Sequence, residues 1–109
     1  MSFDPKKMMA QVAKMQEDLQ RAQEDLANET VEASSGGGMV TVTANGQGEI
    51  VQIKIAKAAV DPDDVEMLED LILAAVKEAS RSAQALAQQK MSGLTAGLGG
   101  LGGLGLPGL

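Results

Sequence analysis

The basic residues of two predicted helices are the side chains best placed to do chemistry. Three of them in the first helix are seven residues apart, and two in the second are one helical turn apart, so each set forms a stripe along one helix face. Contacts to a phosphate backbone need only presented cations and polar donors, without base-reading geometry. The spacing therefore favours weakly specific binding to a nucleic-acid backbone. The candidate DNA-binding residues are Lys7, Lys14, Arg21, Lys77, Arg81 and Lys90.

A second interpretation of these cations is that they form ordinary surface ion pairs. Arg21 lies four residues after Glu17 and four before Asp25, and opposite charges at this spacing pair on a helix. Lys14 likewise lies four residues before Asp18. Nine basic and fifteen acidic residues give a formal net charge of −6, which opposes the binding of a polyanion on average. A protein-interaction module that does not touch DNA is therefore the alternative function.

The residue types that the chain lacks exclude most enzymatic chemistry. It has no cysteine and no histidine, which removes Ser–His and Cys–His nucleophile pairs. Gly36-Gly37-Gly38 lacks the Lys and Ser/Thr of a phosphate-binding loop, and the acidic residues of 61–66 lack the glycine and distal glutamate of a calcium loop. With Phe3 the single aromatic residue, single strands have no stacking platform. We expect no enzyme, no cofactor, no metal site and no small-molecule substrate.

Hydrophobic periodicity and turn residues predict an α+β fold in the order helix, three strands, helix. Asp4-Pro5 is a helix-start signal and predicts a helix from Pro5 to Ala27; Asp61-Pro62 repeats it and predicts a second helix to about Met91. Short segments between glycine-containing turns predict a three-stranded antiparallel meander, with strands at residues 30–34, 39–44 and 50–55. We expect residues 1–92 to form a single dimerisation and DNA-binding domain. Residues 93–109 are predicted to be a disordered tail, because glycine at this density loses too much backbone entropy on ordering.

The third predicted strand and the turn before it carry more detail in their sequence. Val51, Ile53 and Ile55 alternate and should share one face of the sheet. Asn45-Gly46 favours a two-residue hairpin turn with positive φ at both residues, whereas Gly48 favours a longer loop or a bulge. In the second helix, the small residues of 79–83 suit the close approach of another helix or simple exposure.

The apolar residues of the first helix form a seam that is too long for the small sheet to cover. They recur at alternating steps of four and three from Met8 to Leu26, which is typical of a helix that packs on another helix. The helices would be roughly 34 and 45 Å long, whereas a strand covers only about 17–20 Å. Either the chain's own second helix or a second copy must cover the seam, and two-fold homodimers are the commonest oligomers. We expect a homodimer, with the candidate interface residues Met8, Val12, Met15, Leu19, Leu26, Leu68 and Ile72.

Several segments of the chain stand in a specific order and spacing: Gly36–Thr43, Asn45-Gly46, Ile53–Ile55, Asp61–Ile72 and the Gly/Leu-rich end. Together they closely resemble the YbaB/EbfC family of bacterial nucleoid-associated proteins, over nearly the whole chain. The resemblance implies an intertwined homodimer with protruding helices that binds double-stranded DNA, organises the nucleoid and affects gene expression. Because genes of this family often neighbour recombination and replication genes, the alternative is an accessory of that machinery without direct DNA binding.

The chain shows no sign of membrane targeting. No apolar run approaches the roughly 20 residues that cross a bilayer, and the first residues lack the apolar stretch of a secretory signal. We expect a cytoplasmic protein without a membrane partner, and the resemblance implies association with the nucleoid.

Overall fold

The computed structural model describes residues 4–97, and it has the predicted order of elements. The three strands form one antiparallel sheet in the order β1-β2-β3, which confirms the α+β helix–meander–helix fold. A short 3₁₀ helix, Lys57–Ala59, connects the sheet to the last helix. The main elements are α1 Pro5–Asn28, β1 Thr30–Ser35, β2 Val40–Asn45, β3 Ile50–Ile55 and α2 Val65–Gly97.

The two helices begin differently although the same dipeptide precedes each of them. At α1 the side chain of Asp4 accepts a hydrogen bond from the Lys6 backbone N–H at 3.0 Å, as the sequence predicts. At α2 the expected start at Asp61-Pro62 is wrong. Asp61 instead closes a turn by accepting from the Asp63 N–H, and Asp64 caps the helix by accepting from the Met67 N–H. The additional aspartate thus moves the cap three residues along the chain.

The second helix also ends later than predicted. It continues to Gly97 rather than ending near Met91. Met91 and Leu94 are half-buried, so apolar residues at helical spacing continue on both sides of Gly93. A glycine inside a helix costs only about 1 kcal/mol, which such burial offsets. The predicted tail therefore begins too early, since residues 93–97 are helical, and residues 98–109 lie outside the described part of the chain.

The turn between β2 and β3 is not the predicted two-residue hairpin. Neither Asn45 nor Gly46 has a positive φ, whereas Gly48 has φ +86°. The Gly48 N–H donates to the Asn45 carbonyl at 3.0 Å, and the Asn45 N–H donates to the Glu49 carbonyl at 2.9 Å. This is a three-residue loop that ends in a left-handed glycine, and the alternative prediction drawn from Gly48 is confirmed.

A shift in strand register changes which residues of β3 lie on the same face of the sheet as Val40, Val42 and Ala44. Ile55 pairs with Val40 and Ile53 with Val42, but the register shifts between Thr43 and Ala44. Directly paired residues share a face of the sheet. Ile50, opposite Ala44, thus takes the place that alternation predicts for Val51, because a bulge inserts one residue.

Helix α2 packs across β1 and β2 and forms a small aliphatic core with them. Ala75, Ala79 and Ala83 recur every four residues and are buried against the sheet. The small residues that the sequence offered for contact with another helix therefore allow α2 to approach the strands closely. The largest fully buried side chains are Val40 and Val42. A core of alanines and valines stabilises a domain of this size only weakly.

The molecule is elongated, with principal extents of 75 × 26 × 16 Å. The residues of α1 that are buried are Ala22 and Leu26, both in its last two turns, so the preceding turns project from the sheet. None of the helices in residues 4–97 is long and apolar enough to span a membrane.

Candidate nucleic-acid interface

The free end of α1 is the most basic part of the described chain. Residues 5–16 contain three lysines and no acidic residue, and every side chain in them except the half-buried Met15 is exposed. We call these residues the basic arm. The structure forms no ion pair at Lys7 or Lys14 among residues 4–97, so the pairing of Lys14 with Asp18 that the spacing allows is absent there. Both ammonium groups are presented to solvent.

Two of the predicted contact residues form weak ion pairs within their own helix. Arg21 donates to Glu17 at 3.1 Å, with both side chains more than 60% exposed, and Arg81 donates to Glu78 at 3.4 Å. Exposed pairs of this kind contribute at most about 1 kcal/mol. A phosphate can therefore compete for either guanidinium, and Lys77, one turn before Arg81, is exposed as well.

Lys90 occupies a different environment from the other candidate cations. Its side chain is only 27% exposed, and its Nζ lies 3.6 Å from Asp25 Oδ2 and 3.4 Å from Glu29 Oε1. These two carboxylates belong to the last turn of α1 and the residue after it. Lys90 thus joins α2 to the base of α1, and its charge is already engaged.

Replacing Lys90 with Met is expected to lower the free energy of unfolding by about 1 kcal/mol, or roughly 5 °C in Tm, because two partly exposed pairs are lost. Glu29 Oε2, which is buried with no hydrogen-bond partner in the described structure, would lose its nearest positive charge. Lys77→Met is the matched control and should leave Tm unchanged. Thermal unfolding by circular dichroism measures both, and equal Tm values for the two variants would contradict the role assigned to Lys90.

The densest acidic segment lies at the opposite end of the sheet from the base of α1. Residues 61–70 hold six of the fifteen acidic residues and no basic one. The next residue, Leu71, accepts a hydrogen bond from Ser35 at the far end of β1, whereas the base of α1 contacts the turn after β2. Within the described residues no three acidic side chains are grouped so as to hold a metal ion. The net charge of −6 therefore does not describe the basic arm, which contains no acidic residue.

The candidate interface residues fall into two groups. In the seam, Met8 is 49%, Val12 50% and Leu19 41% exposed, and Met15 is half-buried. The others already pack within the chain: Leu26 is 4% exposed, and Leu68 and Ile72 lie half-buried against the core. The first group remains available for a partner.

β3 is an exposed apolar strand, and none of its residues is among the interface candidates drawn from the sequence. Every residue of β3 is exposed, including Ile50, Val51, Ile53 and Ile55 at 39–54%. The strand lies at the edge of the sheet, and its unpaired backbone groups are open to another chain. The sequence predicts that a three-stranded sheet leaves two unpaired edges for a second subunit to cover, but it does not predict which edge is apolar and exposed.

The sequence profile of the YbaB/EbfC DNA-binding family matches residues 1–98. This chain belongs to the YbaB/EbfC family. The membership confirms the resemblance seen in the sequence, and with it the expectation of a nucleoid-associated, DNA-binding protein that is not an enzyme.

Individual proteins agree with the YbaB/EbfC assignment. A nucleoid-associated protein of Ruminiclostridium cellulolyticum is 55% identical over 94% of this chain and 84% of its own length. One of Pelotomaculum thermopropionicum is 58% identical over 84% of this chain and 88% of its own. The crystal structure of the uncharacterized protein HP0035 from Helicobacter pylori has the same fold, with a TM-score of 0.68 and 21% identity over 89% of this chain and 98% of that one.

Proposed function

We propose that this chain binds the backbone of double-stranded DNA as a homodimer, with little sequence specificity, and so affects DNA conformation, nucleoid organisation and gene expression. The observation that carries the proposal is the basic arm, a projecting helix end with three lysines and no acidic residue, in which Lys7 and Lys14 form no ion pair with any residue of 4–97. The relatives' name, nucleoid-associated protein, supports a location at the nucleoid in the cytoplasm.

The geometry of α1 suits a DNA backbone. Lys7 and Arg21 are fourteen residues apart, or about 21 Å along the helix, which is roughly six steps of 3.4 Å along one DNA strand. Lys77 and Arg81 provide a second cationic stripe on α2. These groups can contact phosphates along a duplex, and because phosphate contacts carry no sequence information, such binding has weak sequence dependence.

Dimerisation is supported by what a single chain leaves uncovered. The fully buried side chains of the core are only alanines and valines, while β3 and the seam residues Met8, Val12 and Leu19 expose apolar surface. A second copy that covers β3 removes an unpaired sheet edge and adds the burial that the small core lacks. Two copies also double the number of basic arms available to one duplex.

The acidic segment favours one alternative, a protein-interaction accessory of recombination or replication machinery that does not touch DNA. Residues 61–70 repel phosphate, and Val65 and Met67 within them are exposed. Such a surface suits a basic protein partner better than a nucleic acid.

Titration of a fluorescently labelled duplex at several salt concentrations separates the two functions. Backbone binding predicts that the logarithm of the association constant falls linearly with the logarithm of salt concentration, with a slope of several ion equivalents. Duplexes of unrelated sequence should bind within a few-fold of one another. The absence of binding at low salt would refute the DNA function and favour the accessory.

A further inference from the structure

The base of α1 is held by a turn that is distant in sequence. The last carbonyl groups of a helix have no partner within the helix. Here the Gly46 N–H donates to the carbonyls of Leu26 at 2.8 Å and Glu29 at 2.9 Å, and the Gln47 side-chain amide donates to the carbonyl of Gln23 at 3.0 Å. The β2–β3 turn therefore holds the last turns of α1 and connects them directly to the sheet.

Gly46 is required by this contact and not by the conformation of the turn. Its backbone does not have a positive φ, so an alanine is compatible with the local chain geometry. A Cβ at this position, however, would lie 2.6 Å from Leu26 Cδ2 and 2.8 Å from the Leu26 carbonyl oxygen. The missing side chain is what lets α1 approach the turn.

The turn itself is stiffened by one nearly buried side chain. Asn45 is 5% exposed, and its Oδ1 accepts from the backbone N–H groups of Gln47 and Glu49, each at 3.0 Å. Its Nδ2 donates to Glu49 Oε1 at 2.9 Å. The turn that contacts α1 thus has a fixed geometry relative to the sheet.

We propose that the β2–β3 turn, residues 45–49, is a positioning element that sets the direction of α1 and thereby the DNA affinity, without itself touching DNA. The inference rests on the proposed function. Because α1 has 24 residues and is about 36 Å long, a tilt of about 10° at its base moves the free end by about 6 Å, nearly two phosphate spacings. The separation between the basic arm and the cations of α2 therefore depends on the turn.

The direction of α1 can be measured with spin labels. Since the chain has no cysteine, labels attach only at cysteines introduced at the exposed positions Gln11 and Gln84, and dilution with unlabelled protein restricts the signal to distances within one chain. Gly46→Ala is expected to shift or broaden the distance distribution. Gly93→Ala, whose Cβ would have nothing within 4 Å, is the matched control and should leave it unchanged.

The same variants, without labels, are then titrated with duplex at a temperature where circular dichroism shows them folded. Gly46→Ala is expected to bind about fivefold or more weakly although no charge has been removed, and Gly93→Ala should bind like the unmodified protein. Should Gly46→Ala fail to fold, Gln47→Ala, which removes only the bond to Gln23, takes its place under the same criteria.

An unchanged distance distribution in the turn variant would overturn the proposal, and so would a changed distribution with full DNA affinity. If the unmodified protein does not bind duplex at all, the proposed function fails instead, while the distance measurement still decides whether the turn sets the direction of α1.

Discussion

Lys14→Gln is expected to reduce the salt slope of duplex binding by about two for a dimer, because each copy loses one phosphate contact worth about 0.9 of an ion equivalent. The double variant Lys7→Gln, Lys14→Gln should reduce it by about four. Each contact contributes up to roughly 1 kcal/mol in water, so the loss of four contacts from a dimer is expected to weaken binding by up to about a thousandfold at low salt. Fluorescence anisotropy of a labelled duplex at several salt concentrations measures both quantities.

The matched control for the basic arm is Lys57→Gln. Lys57 is also exposed and its replacement changes the net charge equally, but it lies in the 3₁₀ helix that precedes the acidic segment. Its salt slope should equal that of the unmodified protein. Equal losses for Lys14→Gln and Lys57→Gln would mean that overall charge, and not the basic arm, governs binding.

Ile53→Lys is expected to halve the molar mass of the protein in solution, because a charge at the centre of β3 cannot be buried against a second copy. Within a single chain Ile53 is 45% exposed, so the substitution has little effect on the chain's own packing. Light scattering coupled to size exclusion measures the mass. The added positive charge favours DNA binding by itself, so a simultaneous loss of DNA affinity would follow from the loss of the second copy.

Two further lysine variants make the dimer test specific. Met9→Lys changes a residue that is 71% exposed and outside the seam, and it should leave the mass unchanged. Val12→Lys tests the seam. Dissociation by Val12→Lys alone would place the interface on α1 and contradict the role of β3, and a single-chain mass for the unmodified protein would contradict the dimer altogether.

Local sequence patterns predicted the elements of this fold because their causes are local. The cap at Asp4 and the alternation of Val40, Val42 and Ala44 depend on residues a few positions apart. Where local signals competed, the prediction failed, as at Asp61 and Asp64, where two aspartates offered a helix cap. The prediction of a positive φ at Asn45 and Gly46 was wrong. Gly46 is needed because α1 lies so close to the turn that a side chain would not fit, and not because its backbone is left-handed.

The candidate site was predictable only in part, because its geometry depends on contacts between distant residues. The free lysines of the basic arm follow from the composition of residues 5–16. The partners of Lys90, in contrast, lie more than 60 residues away, so no helical spacing reveals them. β3 is likewise exposed because it is an edge strand and because α2 packs on β1 and β2 instead. The bulge that takes Val51 out of the alternating pattern depends on the pairing of β3 with β2.

The most direct test asks which end of the molecule touches DNA. A photo-crosslinker is attached at Gln11→Cys, one turn from both Lys7 and Lys14, or at Asp63→Cys in the acidic segment, with no native cysteine to compete. Irradiation with a labelled duplex at low salt should give crosslinks from position 11 and almost none from position 63. Equal crosslinking from both positions, or crosslinking from position 63 alone, would contradict binding through the basic arm.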